Sequence, residues 1–350
     1  MKKLLFVFAA FCAGSLMFSA CEEHTTTGEK PTPPEEKDLS YDASKFIEEH
    51  SQSLSETFNL QVGDWGQLDT LQLQNGMRLI IPNGGQIFTK DGTTITGSYD
   101  VVVTCMITPS EVIFGGVNTN FSGGQYLNTG GFFKIDVLQD GVSVDPYFTG
   151  AIIGQIPIDD PNDPWSLWTA DDPADGEQFA WNDVEAREVD SVGAKEGQWI
   201  FNEPNISTTW KAEGYFSFTF SKLAWYNCDM LFSYIKNGQA TTIQVFLSGL
   251  FGELAAYQGY GNGTTFVFFV GDGYKVIAQI YTPVDATTVK SYDNSMPTGA
   301  TGKLIAFSVE EGTFAYAEQT ITVSADANYS LNLQEITKEQ LEEKIKALDQ

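Results

Sequence analysis

The 350-residue sequence contains little of the side-chain chemistry on which most enzymes depend. It has two histidines, His24 and His50, and its arginines are Arg78 and Arg187. A serine or cysteine nucleophile needs a base such as histidine beside it, and a phosphate-binding loop needs a Gly-Lys-Ser/Thr ending that this sequence lacks. Carboxylates are numerous enough for the pair of a glycosidase, but their spacing singles out no pair. We therefore expect the protein not to be an enzyme.

Clustered metal ligands and basic patches are missing as well. The four cysteines and two histidines show no zinc-site spacing. The 46 acidic residues outnumber the 19 basic ones and give a formal net charge of −27. Such a chain repels phosphate backbones, which argues against nucleic acid as a partner. We expect no resident cofactor.

The N-terminus has the pattern of a cleaved targeting segment. Two lysines precede the apolar run Leu4–Ala13, which is too short for a spanning helix of about 20 residues. Small residues then lead to Cys21 and resemble the bacterial lipobox, although Phe18 stands where leucine is usual. The resemblance implies a signal peptide over residues 1–20 and a lipid on Cys21. An ordinary secretory signal with a chance cysteine is the alternative.

The residues after Cys21 predict a disordered tether over residues 21–40. No apolar side chain occurs from Glu22 to Lys37, so this stretch cannot bury enough surface to offset its ordering entropy. Its Cys-Glu-Glu start resembles the acidic export signals of surface lipoproteins of Bacteroidetes. We expect a protein anchored by lipid in the outer membrane and facing the cell surface, with the periplasmic face as the alternative.

Short strands separated by glycine-rich turns dominate the remainder. Gly271–Gly273 predicts a tight hairpin turn, and Gly130–Val137 alternates over its last part, which predicts one solvated face. The fold class that we predict is mainly β, with two antiparallel β-sandwich domains, a short N-terminal helix and a C-terminal helix. The first helix is expected from Asp42, its N-cap, to about Glu56. The last helix begins at the capping box of Thr337 and Gln340, and Leu341, Ile345 and Leu348 share its apolar face.

An acidic, proline-containing stretch places the predicted domain boundary. We assign residues 41–156 to the first sandwich with its helix, residues 157–197 to an acidic linker or insert, and residues 198–350 to the second sandwich. A short helix is expected between about 181 and 197. Cys105 and Cys228 lie in apolar strand-like runs, which favours two separately buried thiols over a disulfide.

Part of the first sandwich resembles a known module. The segments that carry the resemblance are Gly76–Pro82, Gly97–Val101, Phe114–Val117 and Leu127–Ile135. They resemble the ZU5-like β-sandwich of Bacteroidetes lipoproteins between residues 76 and 137, with Gly131-Phe132 where Gly-Met is usual. The resemblance implies a scaffold or protein-contact module, since a fold alone does not define a function.

Two groups of residues are candidates for binding. Trp165 and Trp168 in the acidic stretch, and Tyr257 and Tyr260 in a glycine-rich loop, are expected glycan contacts if their rings are exposed. Asp171, Asp172, Asp175 and Glu177 are the first candidates for a cation such as Ca²⁺. Pro173 interrupts the usual ligand spacing, which favours a solvated acidic loop instead.

The lack of catalytic, metal-binding and basic motifs, together with the predicted lipid anchor, defines the expected function. We expect a non-enzymatic lipoprotein of the cell envelope that acts as an interaction or scaffold module, with the membrane and another envelope protein as partners. The alternative is a surface glycan-binding lipoprotein of a polysaccharide-uptake system. A fimbrial subunit is disfavoured, because the C-terminus is a helix rather than a donor strand.

Overall fold

A computed structural model describes most of the chain from Lys37 onward. The described residues are 37–64, 67–82, 87–147, 151–160, 162–172, 179–184, 186–188, 207–212, 214–220, 223–232, 239–252 and 265–350. The predicted signal peptide, Cys21 and nearly all of the predicted tether lie outside them. Residues Lys37–Gln350 are assigned to one compact unit.

The elements of the first two thirds of the chain begin with helix α1 (Ala43–Ser51), a 3-10 turn (Gln52–Leu54), and strands β1 (Ser55–Gln61), β2 (Leu68–Gln72), β3 (Arg78–Pro82), β4 (Ile87–Thr89), β5 (Thr94–Ile95) and β6 (Ser98–Met106). There follow helix α2 (Pro109–Phe114) and strands β7 (Asn120–Phe121), β8 (Gln125–Gln139), β9 (Val142–Val144), β10 (Pro146–Tyr147), β11 (Ile152–Pro157), β12 (Ser166–Ala170), β13 (Asn182–Asp183), β14 (Ala186–Glu188), β15 (Ser207–Ala212), β16 (Tyr215–Phe220) and β17 (Trp225–Leu231).

The last third comprises β18 (Ala240–Thr241), β19 (Gln244–Gly249), β20 (Thr265–Gly271), β21 (Ile277–Gln279), β22 (Thr282–Pro283), β23 (Thr288–Lys290), β24 (Met296–Pro297), β25 (Thr301–Glu310), β26 (Thr313–Thr322), β27 (Asn328–Ile336), helix α3 (Lys338–Lys346) and a 3-10 turn (Ala347–Asp349). The chain is thus mainly β with a short helix at each end, as predicted.

Two sheets pack face to face in the first sandwich. One has the order β1-β6-β8-β17-β12-β13, and the other the order β14-β15-β16-β11-β3-β2. Their inward side chains share one core, in which the rings of Phe133 and Phe218 stack at 5.9 Å. The predicted alternation near the end of β8 is confirmed, because Ile135 and Val137 are buried while Lys134 and Asp136 are partly exposed.

Strand pairing changes the predicted division of the chain. β16 pairs with β11, and β17 lies between β8 and β12. Both strands, assigned from the sequence to the second sandwich, therefore belong to the first. The acidic stretch between residues 157 and 197 contributes β12, β13 and β14 rather than a linker. The expected helix does not form at 182–183 and 186–188, which are strands, and positions 185 and 189–197 of its range lie outside the described residues. Apolar patterning identifies a strand but not its partner.

The second sandwich is built from one eight-stranded sheet in the order β21-β20-β25-β26-β27-β19-β23-β22. Strands from both ends of this order contribute to one core, so the sheet folds over on itself. The predicted turn around Gly273 links β20 to its antiparallel neighbour β21. The pair β19 and β27 is parallel, unlike the rest of this sheet.

Helices α1, α2 and α3 of the described residues lie between the two sandwiches. Phe46 of α1, Ile113 of α2 and Ile345 of α3 share a third core with Phe132 of the first sandwich and Phe307 of the second. The capping box at the start of α3 is confirmed. No helix in the described part of the chain is long and apolar enough to cross a membrane.

The first helix is shorter than predicted. Asp42 caps it as expected, since its carboxylate accepts a hydrogen bond from the Lys45 amide at 3.0 Å. The helix ends at Ser51 and a 3-10 turn follows, because Ser55 and the residues after it pair with β6. His50 stacks on Phe114 at 4.5 Å between ring centroids, and its Nε2 lies 3.2 Å from Glu342 of α3.

The two thiols of the described chain are free and buried, as the sequence favoured. Burial raises the pKa of both Cys105 and Cys228. Neither thiol is therefore a ready nucleophile at neutral pH.

Candidate ligand cleft

A cleft opens where the two sandwiches and the C-terminus meet. It encloses about 880 Å³. Its walls come from the start of β8, the segment between β11 and β12, the loop between β20 and β21, the residues before α2, and the last residues of the chain. The polar and aromatic residues of the lining include Asn75, Asn128, Asp159, Asp163, Trp165, Tyr274, Lys275 and Gln350. A cleft of this size accommodates a small molecule or part of a larger ligand.

Trp165 forms one aromatic wall of the cleft. Its indole Nε1 donates a hydrogen bond to the Asp160 carbonyl at 3.0 Å, and its backbone amide donates to the Asp163 carbonyl at 2.8 Å. The ring edge lies above Gly130, where an added Cβ would stand 3.4 Å from Trp165 Cζ3 and 2.9 Å from the Cys228 carbonyl. The half-buried ring is therefore fixed in place by its own loop and by a glycine floor.

The loop between β20 and β21 forms the opposite wall and is joined to the first sandwich. The Lys275 amide donates to Asn128 Oδ1 at 2.8 Å, and the Lys275 carbonyl accepts from the Thr129 amide at 3.0 Å. Tyr274 is half-buried and contacts Phe232 edge-on at 5.8 Å. These contacts attach both sandwiches to one cleft floor, so the cleft has a defined width.

The C-terminal residues complete the rim. Asp349 accepts hydrogen bonds from the backbone amide and the hydroxyl of Ser110, at 2.8 and 2.6 Å. Leu348 is buried in the core between the sandwiches. The chain end is therefore fixed beside α2, and Gln350 lies at the cleft.

A buried polar cluster lies behind the floor. Thr129 Oγ1 donates to Asn227 Oδ1 at 3.0 Å, and Asn227 Nδ2 donates to Asp229 Oδ2. Asp229 is fully buried, and among the described residues its Oδ1 has no hydrogen-bond partner. Burial raises the pKa of the Asp229 carboxyl well above its usual value, while the nearby dipoles of Thr129, Asn227 and the Gly130 amide lower it by less.

These features define which groups the cleft offers to a ligand. The cleft combines two aromatic rings with amides, carboxylates and one lysine ammonium group. His50 is the one histidine among the described residues, and it lies on α1 outside the cleft lining. The arrangement can hold a ligand that has an apolar face and several hydrogen-bonding groups.

The structure places the two predicted tryptophans in different environments. Trp165 lines the cleft as described. The prediction that Trp168 contacts a glycan is wrong, because its side chain is only 4% exposed. Trp168 lies on β12 in the core between the sandwiches, where its Nε1 donates to the Asp229 carbonyl at 3.2 Å. Tyr257 and Tyr260 lie outside the described residues.

The predicted cation ligands do not converge in the described chain. Asp172 is held by Lys134 Nζ at 2.7 Å and by Trp225 Nε1 at 2.8 Å. Burial acts to raise the pKa of Asp172, but these two hydrogen bonds outweigh it and hold the pKa below its usual value. Asp171 is exposed, and Asp175 and Glu177 lie outside the described residues. Among described residues, no group of three His, Cys, Asp or Glu side chains is placed to hold a metal ion.

The other cleft residues were not predicted from the sequence. Asn75, Asn128, Tyr274 and Gln350 are far apart in the chain and carry no local motif. The one signal was the tight turn at Gly271–Gly273, which predicted the loop but not its neighbour across the cleft.

Compared with known proteins, the chain matches no family profile and no curated protein sequence. The resemblance to the ZU5-like module therefore stays a prediction.

Proposed function

We propose that this chain is a non-enzymatic, lipid-anchored lipoprotein of the cell envelope that acts as an interaction module. The single observation that carries the proposal is the cleft whose floor and walls are shared by both sandwiches. A site built from two joined bodies is held rigidly, and a preorganised site loses little entropy when a partner binds.

The proposal rests on three further observations. The N-terminal pattern that ends at Cys21 predicts the anchor, and Glu22–Lys37 predicts a spacer that carries the folded part away from the membrane. The net charge of −27 favours neutral or basic partners over anionic ones. The hydrogen bonds of Lys275 and Asp349 fix two walls of the cleft.

A charge-reversal pair tests the interaction. Asp159 is exposed at the cleft, and Asp183 is exposed on β13 outside the cleft lining. After crosslinking of intact cells, an envelope protein should co-purify with the wild-type chain and with Asp183→Arg, but much less with Asp159→Arg. Equal recovery with both variants would show that the cleft does not hold the partner.

A glycan is the second candidate ligand, because Trp165 and Tyr274 bring aromatic rings to a cleft that polar groups also line. Addition of a polysaccharide that binds should shift the tryptophan emission of the wild-type protein. The shift should disappear in Trp165→Phe and persist in Trp168→Phe, because only Trp165 lines the cleft. Loss of the shift in both variants, or in neither, would contradict this assignment.

The anchor is tested separately. Cys21→Ser should move the protein from the detergent phase to the aqueous phase of a phase-separation assay, because a diacyl anchor gives stable membrane binding that a soluble chain lacks. Cys105→Ser is the control, since its thiol is buried in the first sandwich. Unchanged partitioning of Cys21→Ser would exclude lipid on Cys21 as the anchor.

A further inference from the structure

The outer surface of the second sandwich is covered on one side and open on the other. On β26, Tyr316 is buried in the core between the sandwiches, and Glu318 pairs with Lys344 of α3 at 2.6 Å. Gln334 of β27 lies opposite Tyr316 in register and is exposed. In the part of the chain that the structure describes, the cover therefore ends at β27, and the same face continues without it across β19 and β23.

The uncovered strands present a regular row of uncharged polar side chains. On β27, Leu331 and Leu333 are buried while the alternate positions are exposed. We name the outer polar face by its residues Gln244, Phe246, Ser248, Thr288, Asn328, Ser330, Asn332 and Gln334. These side chains bear amides or hydroxyls, apart from the one aromatic ring.

Phe246 stands at the middle of this face. Its side chain is 45% exposed, and it is the one aromatic residue among the exposed large hydrophobic residues of the described chain. It pairs in register with Thr288 on one side and with Ser330 on the other. Hydrogen-bonding groups thus flank an exposed ring on both neighbouring strands.

The outer polar face is also neutral. None of its residues carries a charge, although the chain as a whole has a net charge of −27. The charged residues on the same strands are Lys290 and Glu335. Lys290 lies opposite Gln244 and its ammonium group is bound to Asp293 at 2.7 Å, and Glu335 is bound to Lys37 at 3.0 Å. A ligand that fits this face therefore needs no charged group.

We infer that the outer polar face binds an uncharged glycan chain. The ring of Phe246 packs against the C–H face of one sugar, and the amides of Asn332 and Gln334 bond to hydroxyls along the chain. Six residue steps along β27 and three strands across give a platform of about 20 Å by 10 Å. This surface is separate from the cleft, so the inference does not depend on the proposed function.

Self-association fits the face less well. A stable interface between two proteins buries roughly 800 Å² on each partner around an apolar centre. The outer polar face offers Phe246, and Val284 adds a second exposed apolar side chain at its border. The surrounding amides would lose water on burial and would need matching partners.

Native gels that contain polysaccharide test the inference with the full-length protein in detergent. The neutral probes are starch, β-glucan, xylan and mannan, and the anionic probes are alginate and polygalacturonate. Migration should be retarded by at least one neutral probe and by neither anionic probe. Phe246→Ala should weaken the retarding interaction about tenfold, and Asn332→Ala should weaken it less.

Two control variants separate this site from the cleft. Val142→Ala removes an exposed apolar side chain on β9 and should behave as wild type. Trp165→Ala alters the cleft, so the part of the retardation that depends on the outer polar face should remain in this variant. Retardation that survives Phe246→Ala but is lost in Trp165→Ala would overturn the inference and leave the cleft as the glycan site.

Other outcomes also decide the question. Retardation by no neutral probe, or by anionic probes alone, would overturn the inference without affecting a protein partner in the cleft. A dimer seen by sedimentation that Phe246→Ala abolishes would identify the face as a self-association surface instead. A melting temperature of Phe246→Ala equal to wild type would show that lost retardation is not lost folding.

Discussion

The side chain of Asn120 pairs with the backbone of Gln279 as a neighbouring strand would. Asn120 Nδ2 donates to the Gln279 carbonyl, and Asn120 Oδ1 accepts from the Gln279 amide, both at 2.9 Å. Asn120 belongs to the first sandwich and Gln279 to the second. Beside them, Thr119 exchanges two bonds with Ile277, at 3.0 Å each. The sandwiches are thus joined by buried hydrogen bonds close to the cleft.

Removing this link should destabilise the protein measurably. Asn120→Ala leaves the Gln279 amide and carbonyl buried without these partners, which costs about 1–3 kcal/mol. The free energy of unfolding, measured with urea, should fall by that amount. Asn59→Ala is the matched control, because Asn59 donates to Asp100 at 2.8 Å on the exposed surface. If the free energy of unfolding falls equally little in both variants, the link between Asn120 and Gln279 stabilises the protein no more than a surface hydrogen bond does.

The buried Asp229 should make stability depend on pH. Its pKa is raised in the folded protein, so the folded state holds a proton that the unfolded state releases above about pH 4. The contribution of Asp229 to the free energy of unfolding should therefore fall as pH rises from 4 toward neutrality. Asp229→Asn mimics the protonated group, and it should be more stable than wild type at pH 7.5 but not at pH 4.

A surface variant controls for the general effect of removing a negative charge. Asp183→Asn lies on the exposed strand β13 and should show the pH dependence of wild type. Urea unfolding at several pH values measures all three proteins. An Asp229→Asn variant that tracks wild type across this range would mean that Asp229 is ionised as freely in the folded chain as in the unfolded one.

The two tryptophans of the acidic stretch should respond differently to truncation. Trp168→Ala empties a site in the core between the sandwiches and should lower the free energy of unfolding by about 3–5 kcal/mol. Trp165→Ala should lower the free energy of unfolding by less, because the ring of Trp165 is only half-buried, against Gly130. Urea denaturation measures both. A larger loss for Trp165 than for Trp168 would contradict the burial assigned to them.

Thiol counting tests the buried cysteines and the anchor together. In the lipidated protein, Cys105 and Cys228 are buried with raised pKa values, so a thiol reagent at pH 8 should react slowly before unfolding. After unfolding, these two thiols should react. A further thiol that reacts rapidly in the folded protein would indicate that Cys21 carries no lipid.

Local signals in the sequence were sufficient for much of the fold. The capping box of Thr337 and Gln340, the alternation near Ile135 and the turn before β21 are written in neighbouring residues, and all three are found in the structure. The helix from Asp42 was predicted too long, because pairing of Ser55 with β6 overrides the local helical period. Tertiary partners decide such boundaries.

The cleft could not be predicted from the sequence for a related reason. Trp165 and Trp168 have the same acidic surroundings, but Trp165 lies just before β12 and Trp168 lies on β12 with its side chain in the core between the sandwiches. Tyr274 meets the floor through the bond of Lys275 to Asn128, 147 residues away in the chain. No periodicity within one segment reports such a contact.

Site-specific photo-crosslinking in intact cells tests the central claim most directly. A photoreactive residue replaces Gln350 at the cleft, or Thr94 on the exposed strand β5 as the control. Irradiation should produce a discrete adduct from position 350, none of the same mass from position 94, and a much weaker one when Asp159→Arg is added. Identical adducts from both positions, or no adduct from position 350, would contradict a binding function for the cleft.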